Sequence, residues 1–232
     1  MLDALTPAEW DAIRLSIRVA SVAAIASLPF GVAVAYLLAR GRFPGRTLVD
    51  ALVHLPLVMP PVVTGYLLLL TFGRRGPAGI FLERTFGVVL AFRWTGAALA
   101  AAIMGFPLMV RAIRLSIETI DRRLEDAAST LGANRVAVLA TVTLPLALPG
   151  LLAGLVMSFA RALGEFGATI TFVGNIPGVT QTVPSAIYTY TQVPNGDLAA
   201  LRLTAISVAI AFVALLLSEV LARRATRRVL GR

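Results

Sequence analysis

The residues best suited to recognising another molecule lie in a charged stretch, residues 124–135, that interrupts an otherwise apolar sequence. Glu125 and Asp126 stand there beside small alanines, which let a partner surface approach closely. The apolar segments on both sides are long enough to span a bilayer, so the stretch must project from the membrane towards something soluble. We interpret it as a docking element.

The docking element is predicted to form two short helices. Gly132 can adopt the left-handed conformation that ends a helix, and Asn134 can cap the next one. An ordinary amphipathic helix on the lipid surface is the alternative that spacing alone leaves open. The narrow apolar stripe at helical spacing consists of Leu124, Ala127, Ala128 and Leu131.

Arg161 and Glu165 form a second candidate pair, in or near the hydrocarbon region. Charged residues there are costly and therefore often functional. Their spacing of four residues also lets the two side chains neutralise each other. We favour a structural pair near the outer mouth of the bundle.

Residue types absent from the chain exclude several chemistries. There is no lysine, and the phosphate-binding loop of ATPases requires one to reach the terminal phosphates. The absence of cysteine excludes disulfides and thiolate metal sites. The single histidine, His54, is best interpreted as a pocket or interfacial residue. We therefore expect no catalytic residue, metal or cofactor in this chain.

The elements that position these residues are transmembrane helices, because 58% of the residues are hydrophobic and 14% charged. We predict an all-α membrane protein with a single domain, residues 1–232. A sixth span would arise if the regions around Phe86 or Pro184 crossed fully. Residues 74–79 are predicted as a loop, 87–92 as a short or membrane-entering helix, and 184–192 as a short helix lining a gate. The five predicted spans cover residues 19–39, 48–72, 94–110, about 145–163 and 203–221.

The second span contains Pro60 and Pro61, which remove two backbone donors and should kink or break the helix. Such breaks persist inside a bundle or beside a water-filled cavity, which places them near a translocation path. A kink that merely improves packing is about as consistent with the sequence. The candidate path or gate residues are Pro60, Pro61, Thr64, Gly65, Arg161, Glu165, Thr169, Thr171 and Asn175.

Arginine counts predict the orientation. With the docking element in the cytoplasm, five spans put the amino terminus outside and the carboxy terminus inside. Seven of the 21 basic residues then lie outside, and Arg161 lies near or within the membrane. The thirteen arginines on the cytoplasmic side are Arg40, Arg42, Arg46, Arg111, Arg114, Arg122, Arg123, Arg135, Arg223, Arg224, Arg227, Arg228 and Arg232.

The docking element resembles the EAA loop of ABC importer permeases, in which an acidic residue, two alanines and a glycine precede an Ile-x-Leu-Pro sequence. The chain has Asp126 where the family usually has Glu, and Val142 where it usually has Ile. The resemblance implies that residues 118–145 couple the permease to an ATPase. The coupling residues that it implies are Leu124, Glu125, Asp126, Ala127, Ala128, Leu131, Gly132 and Ala133.

Further stretches are similar to those of molybdate permeases: residues 43–45, 54–66, 73–76, 106–112 and 161–169. The last of these is shared with sulfate and tungstate permeases, so it indicates the oxyanion group. The resemblance implies a type I importer permease with five to six spans and coupling helices in the cytoplasm. It also implies a homodimer in the plasma (inner) membrane of a bacterium or archaeon.

The partners that this resemblance implies are two ATPase subunits, which carry the ATP and magnesium, and an extracytoplasmic molybdate-binding protein. No nucleic acid is expected, and no regulatory domain is expected after the last span. A tungstate or sulfate permease remains open, and so does an ATP-independent secondary anion transporter. A membrane-embedded enzyme is the third alternative, but the sequence offers it no paired carboxylates in the membrane, no cysteine and no histidine cluster.

Overall fold

The computed structural model describes residues 5–230, with side chains as far as residue 220 apart from residue 218. The chain is 79% helical, and the described part contains no strand, which confirms the predicted all-α class. A π-helical segment, Leu139–Thr143, lies between the seventh and eighth helices. The helices are α1 Pro7–Arg40, α2 Arg46–Val58, α3 Pro61–Phe72, α4 Pro77–Phe86, α5 Trp94–Glu118, α6 Arg122–Thr130, α7 Arg135–Val138, α8 Leu144–Leu146, α9 Leu148–Leu163, α10 Gly167–Val173, α11 Val183–Thr191 and α12 Asp197–Leu230.

Three single helices are long and apolar enough to cross a bilayer: α1, α5 and the Asp197–Leu217 part of α12. Two bent pairs raise the number to five, α2 with α3 and Arg135–Leu146 with α9. Among the described residues, neither α4 near Phe86 nor α11 near Pro184 joins these candidates. The described residues therefore contain three to five candidate spans, and five is reached only if each bent pair counts as one span.

The break predicted at Pro60 is confirmed. Helix α2 ends at Val58, Pro60 caps α3, and Pro61 is the first residue of α3. A proline fits this first position because its missing N–H would have no partner there. The chain bends by 112° between α2 and α3, so the second predicted span consists of two helices that form either a broken span or a re-entrant loop.

The predictions for residues 74–79 and 87–92 are partly wrong. Helix α4 already begins at Pro77, because proline is favourable at the first position of a helix. It ends at Gly87, whose positive φ of 65° stops the helix. Residues 87–92 are irregular, and Phe92 also has a positive φ of 58°.

The centre of the bundle is made by α1, α5 and α9. Small residues let these helices approach closely, as membrane helices do in the absence of a strong hydrophobic force. A Cβ added at Gly150 of α9 would lie 2.2 Å from Ser116 Cβ of α5, so only glycine fits there. Helix α5 continues to Glu118, beyond the predicted end at 110, because its polar last turns make ion pairs above the apolar core.

The carboxy-terminal third contains one helix that the sequence did not predict, the seven-residue α10. Helix α11 confirms the short helix predicted at 184–192. The last helix begins at Asp197, before the predicted start at 203. The orientation count also uses Arg232, which lies outside the described residues, as do the side chains of Arg223, Arg224, Arg227 and Arg228.

The amino-terminal end of α1 is tied to α12. Thr6 caps α1, and its backbone N–H donates to Glu9 Oε2 at 2.6 Å while the Glu9 N–H donates to Thr6 Oγ1 at 3.3 Å. Arg202 of α12 donates through Nε and Nη2 to Glu9 Oε1 at 3.2 and 2.9 Å. Glu9 is fully buried, so this pair fixes the two helix ends to each other.

Candidate functional site

The docking element folds as two short helices, as predicted. Asp121 caps α6 by accepting a hydrogen bond from the Arg123 N–H at 3.0 Å. Asn134 caps α7 in the same way, with its Oδ1 accepting from the Ala137 N–H at 2.8 Å. Both caps satisfy backbone donors that a helix start leaves free.

Gly132 ends α6 in the left-handed region, with a φ of 90°. The N–H of Ala133 donates to the carbonyl of Ala128 at 3.2 Å, and the N–H of Gly132 donates to that of Ser129 at 3.0 Å. The bond from Ala133 to Ala128 is the one that defines a Schellman cap, which needs a residue with positive φ at the position of Gly132. The predicted role of Gly132 in ending the helix is confirmed.

One face of the docking element consists of exposed apolar side chains. Leu131 is 89% exposed, Val136 is 74% exposed and Leu124 is 50% exposed. Asp126 and Ala127 are exposed beside them, whereas Ala128 and Ala133 are half-buried. Because α6 has no buried residue, its outer face is available to a partner.

Glu125 faces the other way, towards the helix bundle. Its Oε2 lies 3.0 Å from Arg40 Nε, and the hydroxyl of Thr143 donates to its Oε1 at 2.8 Å. Arg40 Nη2 also donates to the carbonyl of Ile120 at 3.0 Å. We call Arg40, Glu125 and Thr143 the loop clamp.

A second polar cluster connects α2 to the end of α5. Arg114 lies at its centre, with Nη1 2.9 Å from Asp50 Oδ2 and Nε 2.8 Å from Glu118 Oε1. Arg46 approaches Glu118 at 3.9 Å. His54 Nδ1 lies 2.9 Å from the Asp50 carbonyl and 3.2 Å from Asp50 Oδ1. The histidine is thus part of a pocket, as the sequence indicates.

The candidate path residues on α3 lie directly against α10. A Cβ added at Gly65 would lie 2.5 Å from the Ala168 carbonyl oxygen and 2.9 Å from Thr171 Cβ. One at Gly167 would lie 2.8 Å from Pro61 Cβ. The broken span and α10 therefore touch backbone to backbone, with no room for a side chain at Gly65.

Arg161 and Glu165 are in contact, at 2.6 Å between Nη1 and Oε2. The other carboxylate oxygen of Glu165 accepts a hydrogen bond from the Ala168 N–H at 2.8 Å. Glu165 is 1% exposed and Arg161 is 28% exposed. The pair therefore holds the start of α10 at the end of α9.

The polar candidates in this region have different surroundings. The hydroxyls of Thr169 and Thr171 donate to carbonyls within their own segment, at Phe166 and Gly167. Asn175 donates to Thr189 Oγ1 of α11 at 2.7 Å. Thr64 is 4% exposed, and its hydroxyl has no hydrogen-bond partner among the described residues.

Sequence reasoning missed Arg40 and Thr143 as partners of Glu125, and the Glu9–Arg202 pair. Glu9 carried a local signal, since Thr6 three residues before it makes a capping box. Arg40 carried none, because its partner is 85 residues away in sequence. No group of three or more His, Cys, Asp or Glu side chains within the described ranges is arranged to hold a metal ion.

Residues 27–227 match the family model described as binding-protein-dependent transport system inner membrane component. The chain is 58% identical to the molybdenum transport system permease protein ModB of Escherichia coli (strain K12) over 224 residues, which cover 97% of this chain and 98% of that protein. It is 52% identical to ModB of Haemophilus influenzae over 221 residues, covering 95% and 96%. The sulfate transport system permease protein CysT of Salmonella typhimurium is 37% identical over 220 residues, covering 95% and 79%.

Two solved structures share the fold. The MetNI methionine ABC transporter in its inward-facing conformations matches with a TM-score of 0.68 and 16% identity, covering 94% of each chain. A bacterial ABC transporter that imports alginate matches with a TM-score of 0.70 and 17% identity, covering 96% of this chain and 80% of that one. At these identities the likeness shows the fold alone.

Proposed function

We propose that this chain, which belongs to the family of binding-protein-dependent transport system inner membrane components, is the permease subunit of an ATP-driven molybdate importer. The proposal rests on the 58% identity to a molybdenum permease over almost the whole of both chains. Identity to the sulfate permease is lower, at 37%. A tungstate or sulfate permease is the alternative within the same group.

The subunit provides the pathway and is not itself an enzyme. ATP and magnesium bind to a partner ATPase, because a chain without lysine lacks the phosphate-contacting side chain of a P-loop. The outer face of α6 and α7 docks in a groove of that ATPase. The exposure of Leu131, Val136 and Leu124 supports this assignment, since apolar side chains that leave the bundle need a partner to cover them.

The pathway passes along the contact between α3 and α10. Arg161 and Glu165 hold α10 against the bundle and neutralise each other, so they do not form a tight oxyanion site. Weak binding suits a permease, because a tightly held anion would be released slowly. Separation of α3 from α10 opens the path, with Thr64 and Thr171 beside the contact, while Thr169 and Asn175 are candidates to line it further along.

The assembly is a homodimer in the inner membrane, with two ATPase subunits and an extracytoplasmic binding protein. Helix α2 has no buried residue, and Val58, Leu48 and Leu52 are 83%, 64% and 58% exposed. Such a face requires lipid or a second copy against it. The amino terminus lies outside and the carboxy terminus in the cytoplasm, in agreement with the bias of arginines.

The test is uptake of labelled molybdate into proteoliposomes that contain the permease, the candidate ATPase and the binding protein. Uptake should require ATP, resist excess sulfate and be lost in Gly132→Asp. Uptake without the ATPase would support a secondary anion transporter and overturn the coupling assignment. Strong competition by sulfate or tungstate would leave the assignment as an ATP-driven importer unchanged and would change the assigned substrate to that anion.

A further inference from the structure

The loop clamp is shielded from water although it belongs to a surface helix. The side chains of Glu125 and Arg40 are 12% and 11% exposed, and Thr143 is fully buried. Hydrogen bonds between charged groups are stronger than neutral ones, and they gain further where water is excluded. A shielded contact of this kind can hold two helices together while one of them moves, whereas an exposed surface pair is too weak to do so.

The clamp also holds the chain that enters the docking helix. Arg40 uses its Nε for the Glu125 carboxylate and its Nη2 for the Ile120 carbonyl, which lies two residues before the first residue of α6. One guanidinium therefore fixes both the approach to α6 and its inner face. The rest of α6 contributes no buried side chain that could fix it instead.

Three separate elements meet at the clamp. Arg40 is the last residue of α1, Glu125 lies in α6, and Thr143 ends the π-helical segment that leads through α8 into α9. Helices α1 and α9 both belong to the centre of the bundle. A displacement of α6 is therefore passed directly to the ends of two central helices.

We infer that the loop clamp is the joint that converts movement of the ATPase into movement of the membrane helices. Glu125, Arg40 and Thr143 are positioning residues that transmit the motion, and their side chains face the bundle and not the docked ATPase. Asp126, the next residue on α6, is exposed and has the opposite role, since it contacts the ATPase. The inference rests on the proposed function, because it presupposes that an ATPase docks on α6.

The experiment compares Glu125→Gln with Asp126→Asn in the reconstituted transporter, with two measurements for each. The first is the affinity of the permease for the ATPase, and the second is the number of ATP molecules hydrolysed per molybdate imported. Glu125→Gln should keep the affinity within about twofold and raise the ATP cost by up to about tenfold, because the neutral amide leaves Arg40 without its charged partner. Asp126→Asn should weaken the affinity and leave the ATP cost of assembled complexes unchanged.

Two further comparisons keep the result independent of misfolding. Arg40→Lys keeps a cation opposite Glu125 and should retain more coupling than Arg40→Gln, which removes the charge. Thr143→Val removes one hydrogen bond at nearly constant volume and should raise the ATP cost in the same direction. Loss of affinity in Glu125→Gln at a normal ATP cost, or equal ATP costs for Arg40→Lys and Arg40→Gln, would overturn the inference. If the wild type neither binds the ATPase nor requires it, the proposed function fails instead.

Discussion

Gly65→Ala should loosen the contact between α3 and α10. The added Cβ would lie 2.5 Å from the Ala168 carbonyl oxygen, about 0.9 Å short of an ordinary contact at 3.4 Å. The obstacle is backbone, which cannot rotate away as a side chain does, so one helix must retreat. Overpacking of this kind costs about 1–3 kcal/mol. If the strain falls on the closed contact, the separated state becomes about 5 to 150 times more populated.

Separation of α3 from α10 can be measured by labelling a single introduced cysteine, because the chain contains no cysteine of its own. Thr64→Cys places one thiol at a position that is 4% exposed beside Gly65. Its labelling rate by a water-soluble maleimide then follows the population in which α3 and α10 separate. Labelling should be at least about fivefold faster when Gly65→Ala is added, in line with the lower limit of the strain.

Gly164→Ala is the matched control, because its added Cβ meets a single atom, the Ala160 carbonyl oxygen at 3.8 Å. The same thiol should label at the unchanged rate in that background. Equal rates for the two alanine variants would refute the reasoning, since they would mean that the close contact at Gly65 does not hold the path closed. The labelling is measured without ATP, so the result does not depend on the coupling element.

Three further perturbations follow from other parts of the molecule. Gly132→Val forces a β-branched residue into φ 90° at a cost of about 1–2 kcal/mol. ATPase binding, measured in a pull-down titration, should therefore weaken about 5- to 30-fold. Gly132→Asn should weaken it less, because asparagine tolerates the left-handed conformation better. Glu9→Gln leaves Arg202 without its counter-charge, costs about 1.5–3 kcal/mol and should lower the Tm in detergent by about 3–12 °C. Arg74 and Arg75 are exposed between α3 and α4, on the side that the proposed orientation puts outside, where the binding protein docks. Changing both to Glu should raise about tenfold the binding-protein concentration that half-saturates ATPase stimulation, and less so at high salt.

Each of these has a result that counts against it. Equal ATPase binding by the Val and Asn variants at position 132 would mean that the cap is not required for docking. An unchanged Tm for Glu9→Gln would show that Arg202 does not depend on that carboxylate. A salt-independent effect of the double change at Arg74 and Arg75 would show that these arginines do not attract the binding protein by their charge.

Local signals in the sequence predicted the features that depend on a few neighbouring residues. Gly132 and Asn134 fix the turn between α6 and α7 by conformational freedom and capping, and both act within four residues. Pro60 and Pro61 break the second span because each lacks the backbone N–H that a helix requires, a property that can be read from the residue type alone. The i, i+4 spacing of Arg161 with Glu165 likewise predicted their contact.

Features that depend on tertiary packing were not predictable from one sequence. Glu125 lies beside the apolar stripe of a nine-residue helix, and its partner Arg40 is set by how α1 and α6 pack. The same holds for the end of α5, where Arg114 and Glu118 continue the helix past the apolar run. Helix α4 was missed for a different reason, because Pro77 reads as a loop residue until it is recognised as a helix start.

Helix α1 carries an ion pair at each end, Glu9 with Arg202 and Arg40 with Glu125. At roughly 1.5 Å per residue, about 47 Å of helix separates Glu9 from Arg40 on α1, more than the thickness of the hydrocarbon core. The helix is therefore a strut whose two ends are both pinned on opposite sides of the membrane. Pro29 lies between them and removes one backbone hydrogen bond, which makes the middle of the strut its most compliant point. Replacing Pro29 by alanine would restore that hydrogen bond and stiffen α1, so a displacement of one end of the helix would be passed more completely to the other end.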